Sequence, residues 1–519
     1  MGNYDTIEAK NYHEETKHSE VSVRSDYFLD WEDKPNPYKV YANLAPIFLP
    51  KDFPRPTQDT IDCVKTFESG DDGVVNLGSV AEILYFTAGV TKKIRLSSGG
   101  TYDFRAAAST GALYEVEVYV ACGQIPALSD GVYHFNPRDF ALQQLRDGDY
   151  RYSLSQAAGN SAEILNAPMS LVLTAIYWRN AWKYRARSYR HFYWDAGTIT
   201  ANLLATAIST NLKAKIILGF QDKSVSQLLG LDSSGEAALA IIPLGRDSES
   251  KVVNEKTQTL TKINHEYAPL SKKEIQYQEV LKIHSVSSLN SAEEVSSWPR
   301  TCSPKINPQK RGQFYPLQPL TERRQTTLSK TIVRRGSTRR FSREAIPFSY
   351  LSTIIQAATR GVPADFFDTP DKALIETYLI VNAVDGLQSG SYYYDRENES
   401  LELLKLGDFR DTAGYLCLEQ DLGADGSVAT FLMCNLNSIL DSYGNRGYRA
   451  AQLEAGIIAG KMYLCAYALG IGASGITFYD DPVTEFFSPH AVNKSNMLSV
   501  ILGVPAAGSM RLINRQAGV

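Results

Sequence analysis

The sequence predicts a duplicated α+β protein, two domains of like topology in one chain. Three observations carry this: a length of 519 residues, a gapless internal repeat, and strand-period stretches followed in each copy by a small-residue, helix-period run. At roughly 100 to 200 residues per domain, the length asks for two to four units. The repeat defines two. Leu128-Ser-Asp-Gly131-Val-Tyr133, ending in Gly148-Asp149-Tyr150-Arg151, returns as Leu387-Gln-Ser-Gly390-Ser-Tyr392, ending in Gly407-Asp408-Phe409-Arg410. Tyr184-x-x-Arg187-x-Tyr189-Arg190 with Ala196-Gly197 returns as Tyr443-x-x-Arg446-x-Tyr448-Arg449 with Ala455-Gly456. Gly131 and Gly390, Arg151 and Arg410, and Tyr184 and Tyr443 all stand 259 positions apart, so one register spans both blocks.

In chain order, residues 1–75 read as an N-terminal extension of loops punctuated by Pro35, Pro37, Pro46, Pro50, Pro54 and Pro56. Its first twenty residues carry Glu8, Glu14 and Glu15 and lack the apolar run of a secretory signal. The first domain, 76–246, has an alternating β-branched and aromatic stretch at Leu113–Val120, a turn at Gly131 before a Tyr-containing strand, and a helix-period run at Thr198–Asn211. A polar connector, 247–322, carries a helix that Ser271-x-x-Glu274 would open as a capping box and that runs to about Leu289. The second domain, 323–519, repeats the pattern with Tyr378–Val381, Gly390 and the run Ile457–Leu469.

Composition narrows the function classes. With 44% hydrophobic and 21% charged residues the chain is globular, which excludes intrinsic disorder and a membrane bundle. A net charge of -4 gives no global drive toward nucleic acid or anionic lipid. The apolar stretch Met462–Phe478 is broken by glycines and reads as a buried helix followed by a strand. Six cysteines without a C-x-x-C pair suit reduced thiols in a cytoplasmic protein. The seven histidines show no metal spacing, and no G-x-G-x-x-G, Walker loop or H-E-x-x-H is present.

The copies differ in complementary ways. The second domain opens with Arg334-Arg335-Gly336-Ser337-Thr338-Arg339-Arg340-Phe341, whose guanidinium forks and hydroxyl could surround a phosphate. The first holds Arg105-Ala-Ala-Ala-Ser109-Thr110-Gly111, a small-residue turn able to approach a flat ligand, where the second has Asp371-Lys-Ala-Leu374. Lys183-Tyr184 faces Ser442-Tyr443, so one copy keeps a lysine suited to proton transfer. Gly472-Ala-Ser-Gly475-Ile-Thr477 stands where the first copy has Lys213-Ala-Lys-Ile-Ile217. Taken alone, the arginine run fits a solvated face as well as an anion site, and Lys183-Tyr184 fits a surface dipeptide.

Together these motifs resemble the FMN-dependent nitroreductase superfamily, and within it the SagB/ThcOx-type azoline dehydrogenase branch. The resemblance rests on Arg335-x-Ser337-x-Arg339-x-Phe341, Ser109-x-Gly111-Ala-Leu-Tyr114, Lys183-Tyr184-x-x-Arg187-x-Tyr189-Arg190 and the stretch from Ala455-Gly456 through Gly475. Tyr12-His13-x-x-Thr16-Lys17, Leu49-Pro50 and Glu236 to Pro243 extend it. It implies two nitroreductase-like domains forming an intramolecular pseudo-dimer, with FMN between them. By resemblance, Arg335, Gly336, Ser337 and Arg339, with Arg511, hold the FMN phosphate. Gly475, Ile476 and Thr477 then lie along the ring, Ser109, Thr110 and Gly111 lie against it, and Lys183 and Tyr184 are the catalytic pair. The opposite site lacks its counterparts, so one FMN per chain is expected. The resemblance implies an oxidoreductase passing hydride from an azoline-like small-molecule or peptide-derived substrate to FMN; the alternative is an NAD(P)H-dependent nitro- or quinone reductase. No nucleic acid, membrane or metal enters either reading, and the internal pseudo-dimer suits a monomer or a further homodimer.

Overall fold

The computed structural model describes residues 2–24, 27–67, 70, 73–95, 101–246, 260–263, 265–298, 312–322 and 325–508. Among the described residues each half builds one large antiparallel sheet, beside a small two-stranded one. In the first, the strands lie side by side in the order Pro46–Phe48, Ala141–Asp147, Gly131–Asn136, Val116–Cys122, Met169–Ile176 and Glu236–Leu244. In the second the order is Phe314–Pro316, Ser400–Leu406, Gly390–Asp395, Glu376–Val381, Val428–Cys434 and Ser495–Gly503, with Gly472–Ile476 added at the far edge. The duplication reaches the irregularities. Register shifts fall at Val132/Tyr133 and Ser391/Tyr392, and at Leu173/Thr174 and Leu432/Met433, each pair again 259 positions apart. Such bulges bend a strand at one position, so their repetition reflects a copied backbone as well as a copied sequence pattern.

The N-terminal extension and the connector each supply the outermost strand of a sheet, Pro46–Phe48 and Phe314–Pro316. Two helices of the connector, Gln278–Val286 and Ala292–Ser297, lie among the described residues. Neither starts at Ser271. That hydroxyl accepts from Trp178 Nε1 at 2.7 Å and donates to the Lys273 carbonyl, so it is drawn into tertiary contacts and the capping box does not form.

The long helices Ser188–Ser209 and Arg446–Ala468 pack against each other at the centre of the molecule. Both start about ten residues before the apolar runs at Thr198 and Ile457, because the Arg- and Tyr-rich turns that read as polar are buried. Arg187 and Arg190 clamp Asp480 at 3.0 and 2.8 Å, while Arg446 and Arg449 clamp Asp222 at 2.7 and 2.5 Å. Each clamp takes its arginines from one half and its aspartate from the other. Along the same axis, equivalents meet their own counterparts. A Cβ on Gly197 would stand 2.5 Å from the Gly456 carbonyl carbon, and Asp59 bridges Thr327, 268 positions on. A surface that contacts its own copy is the mark of a two-fold interface, here built within one chain. The second helix ends at Ala468 and a strand follows at Gly472; no helix among the described residues is long and apolar enough to cross a membrane. Cys63, Cys122, Cys417, Cys434 and Cys465 are buried and form no disulfide among the described residues, and Cys302 lies outside them.

Candidate active site

The turn Ser109–Gly111 is shaped by hydrogen bonds from behind. Ser109 Oγ accepts from Tyr114 N at 3.0 Å, and the Thr110 amide donates to both oxygens of the buried Asp195 at 3.0 and 2.8 Å. The backbone there is left-handed, with φ of 60° at Gly111, 51° at Ala112 and 55° at Tyr114, so the strand expected from Leu113 begins at Val116. Gly111 suits this backbone, and a Cβ there would stand 2.9 Å from Tyr184 Oη and displace that phenol.

Lys183 and Tyr184 end the helix Tyr177–Tyr184, which carries both residues to the turn. Lys183 is exposed, with Nζ 5.2 Å from the centre of the Tyr184 ring. Partial burial lowers its pKa, and the charges of Arg339 and Lys34 lower it further, which raises the share of free amine. Burial, together with Asp195 and Glu115, raises the Tyr184 phenol, so that group stays protonated. A polar chain backs the pair. Asn180 Nδ2 donates to Thr110 Oγ1 at 2.9 Å, and His191 Nδ1 lies 3.1 Å from Asn180 Oδ1. The His191 ring meets Tyr184 edge-on at 4.2 Å and stacks on Trp194 at 4.5 Å. Burial and the Arg187 charge keep that imidazole neutral. Glu115, fully buried beside Asp195, is held protonated by burial and by that neighbouring charge, and burial raises Asp195 itself to about 6.

The second half supplies the facing wall. Arg335 donates from Nε to the Ala106 carbonyl at 3.0 Å and from Nη2 to the Arg105 carbonyl at 3.2 Å, tying its loop to the turn of the first half. Ser337 Oγ lies 3.0 Å from Tyr463 Oη, which accepts from Gly475 N at 2.6 Å. Thr338 N donates to Ala473 O at 2.9 Å. A Cβ on Gly472 would stand 2.2 Å from Thr338 Oγ1, so only glycine lets the two segments close together. Gly336 follows Arg335 on this loop, Gly475 is exposed, Ile476 is buried in the edge strand, and Thr477 Oγ1 is buried without a partner. The exposed Arg339 reaches Lys183, Tyr184 and Tyr102 with its charge. Every predicted site residue except Arg511 thus gathers at one junction between the halves; Arg511 lies outside the described residues.

Sequence reading missed Glu115, Asn180, His191, Asp195 and Tyr463. The signal was present in the other copy: 259 positions away stand Leu374, Ile439, Ala450, Glu454 and, for Tyr463, Leu204. Four of these five positions are polar on the side of the site and apolar in the copy.

A duplicated α+β chain with a cationic loop from one half facing a lysine and a strained turn from the other is the architecture of a nitroreductase-type oxidoreductase. The chain belongs to the nitroreductase family, whose profile matches residues 74–246 and 332–510. The crystal structure of a candidate nitroreductase from Anabaena variabilis matches 96% of this chain and 99% of its own, at a TM-score of 0.77 and 26% identity. The candidate nitroreductase MJ1384 of Methanocaldococcus jannaschii is 26% identical over 175 residues, 34% of this chain and 83% of its own. The microcin B17-processing protein McbC of Escherichia coli is 28% identical over 153 residues, 28% of this chain and 54% of its own, so the match spans about half of that relative.

Proposed function

We propose that the chain is an FMN-dependent dehydrogenase of the SagB type, with one FMN per chain at this junction. The observation that carries the reading is the pairing of Lys183 and Tyr184, on the first half, with the Arg335 to Arg339 loop of the second. The residues suit the cofactor. Arg335, Ser337 and Arg339 offer guanidinium and hydroxyl donors for a phosphate, Gly475 leaves room for a flat ring, and the partnerless Thr477 Oγ1 is a buried group that a ring edge would satisfy. When bound, FMN supplies a two-electron acceptor. The chain's own residues then handle the proton: Lys183, poised by Arg339, takes it from the substrate, and Tyr184, held neutral, donates a hydrogen bond that orients the acidic position. McbC, a processing protein by name, favours a peptide-derived azoline-like substrate over a simple nitro compound.

The test is anaerobic mixing of the flavin-loaded protein with an azoline peptide, compared with Lys183→Ala. The reading expects the substrate to bleach the flavin, and the variant to keep its flavin while bleaching about 100-fold or more slowly. Bleaching by NADPH that Lys183→Ala leaves unchanged would instead establish the nitro- or quinone-reductase reading.

A further inference from the structure

The pseudo-two-fold axis generates a second junction, in which the halves exchange roles. Its inner strip is closed by the chain itself. Ile216 N donates to Pro363 O and Asp365 N to Ile216 O, both at 2.8 Å, and the Asp365 carboxylate accepts from Leu218 N and Gly219 N at 2.9 and 2.8 Å. The equivalent of this strip on the other side is the edge strand Gly472–Ile476, which leaves Gly475 exposed. A flat ring that suits the first junction therefore has no room along the strip of the second.

Outside the strip lies a cleft of about 780 Å³, within the size range of small-molecule sites. Phe67, Phe367 and Pro363 give it apolar walls, and Lys213, Lys215 and Arg246 line it with positive charge; among the described residues, Glu163, paired with Lys215, and Asp368 are the acids that line it. The duplication provides an internal control. Lys213, Lys215 and Arg246 stand 259 positions before Gly472, Ser474 and Pro505, so the fold requires a cation at none of the three. Phe67 stands 268 positions before Arg335, the spacing that also relates the helices starting at Thr60 and Leu328. This junction has thus lost a phosphate-type arginine, gained an aromatic wall, and acquired cations elsewhere.

A water-sized cavity that shares Phe67, Ala214 and Pro363 with the cleft reaches Lys461, only 3% exposed. Lys461 Nζ donates to Gly361 O at 2.7 Å, its one hydrogen bond among the described residues, though an ammonium carries three donors. Burial brings this lysine down to about 8, with Cys465, Arg396 and Glu454 the titratable side chains acting on it. Its counterpart is Asn202, whose amide bonds the Phe86 carbonyl, so a neutral side chain does the same structural work.

We propose that this cleft is a second binding site, for an aromatic organic anion, with the ring against Phe67 and Phe367 and the anionic group toward the lysines. The test uses the full flavin-loaded chain with 8-anilinonaphthalene-1-sulfonate as fluorescent probe and 2-naphthoate as competitor. The expected result is one saturable probe site per chain, displaced by naphthoate and weakened at least tenfold in the double variant Lys213→Gly/Lys215→Ser and in Lys461→Asn, each carrying the other copy's residue. Flavin content should stay unchanged in both. Arg335→Ala is expected to lose flavin and keep the probe, which separates this site from the proposed active site. Probe affinity unchanged in the Lys213→Gly/Lys215→Ser variant, or probe that naphthoate does not displace, would overturn the proposal; because those two side chains lie at the surface, this result stands even if Lys461→Asn does not fold.

Discussion

Lys183 owes its proposed role to partial burial and, after that, to a charge it does not touch through any hydrogen bond. Arg339 lowers the lysine pKa, so replacing the arginine by alanine should raise that pKa and move the rising limb of the pH–rate profile to higher pH. A profile that stays in place would separate Arg339 from the base. The aspartates of the two clamps behave in the opposite sense. Burial alone would raise Asp222 and Asp480, but their paired arginines overcome it and hold both well below the ordinary value of about 3.9. A carboxyl depressed on folding contributes stability at pH values above its unfolded pKa and loses that contribution as pH falls toward the folded one. The protein should therefore weaken steeply on acidification below about pH 4. Asp480→Asn leaves two buried guanidiniums without their anion and should destabilise by about 3–5 kcal/mol and flatten that acid limb. Denaturant titration across pH reads both effects. At this scale the sequence was only partly legible. Lys183 and the arginine loop stood out as odd residue types in short motifs, whereas Glu115, Asn180 and His191 are scattered through the chain and meet only in the fold.

At the scale of elements, the crossing of Ser188–Ser209 over Arg446–Ala468 depends on glycine facing glycine. Gly197→Ala forces a methyl group to 2.5 Å from the backbone of Gly456, and neither backbone can yield without parting the helices. We expect a loss of about 1–3 kcal/mol, seen as a lower Tm, together with reduced flavin retention because the two walls of the site ride on these helices. An unchanged Tm would show that the crossing is looser than its geometry implies. Hydrophobic periodicity located both helices but placed their starts too late, since buried arginines and tyrosines carry no apolar signal; their burial depends on aspartates more than 200 residues away. The capping box at Ser271 failed for a related reason: local chemistry nominated a cap, and Trp178 took the hydroxyl.

The whole molecule is a pair of copies that have diverged into two different junctions. The repeat register exposed the pseudo-dimer, because 259-residue spacing without gaps survives in backbone bulges as well as in residues. What the register could not disclose was that Pro363 and Asp365 close the second strip, a contact between segments that share no motif. Between them the two junctions should hold one composite flavin site. It is tested most directly by the FMN released per chain on denaturing the purified, flavin-saturated protein. A single composite site gives a ratio of one, falling to near zero in Arg335→Phe and unchanged in Phe67→Ala. A ratio of two, or a ratio of one that survives Arg335→Phe, would contradict it.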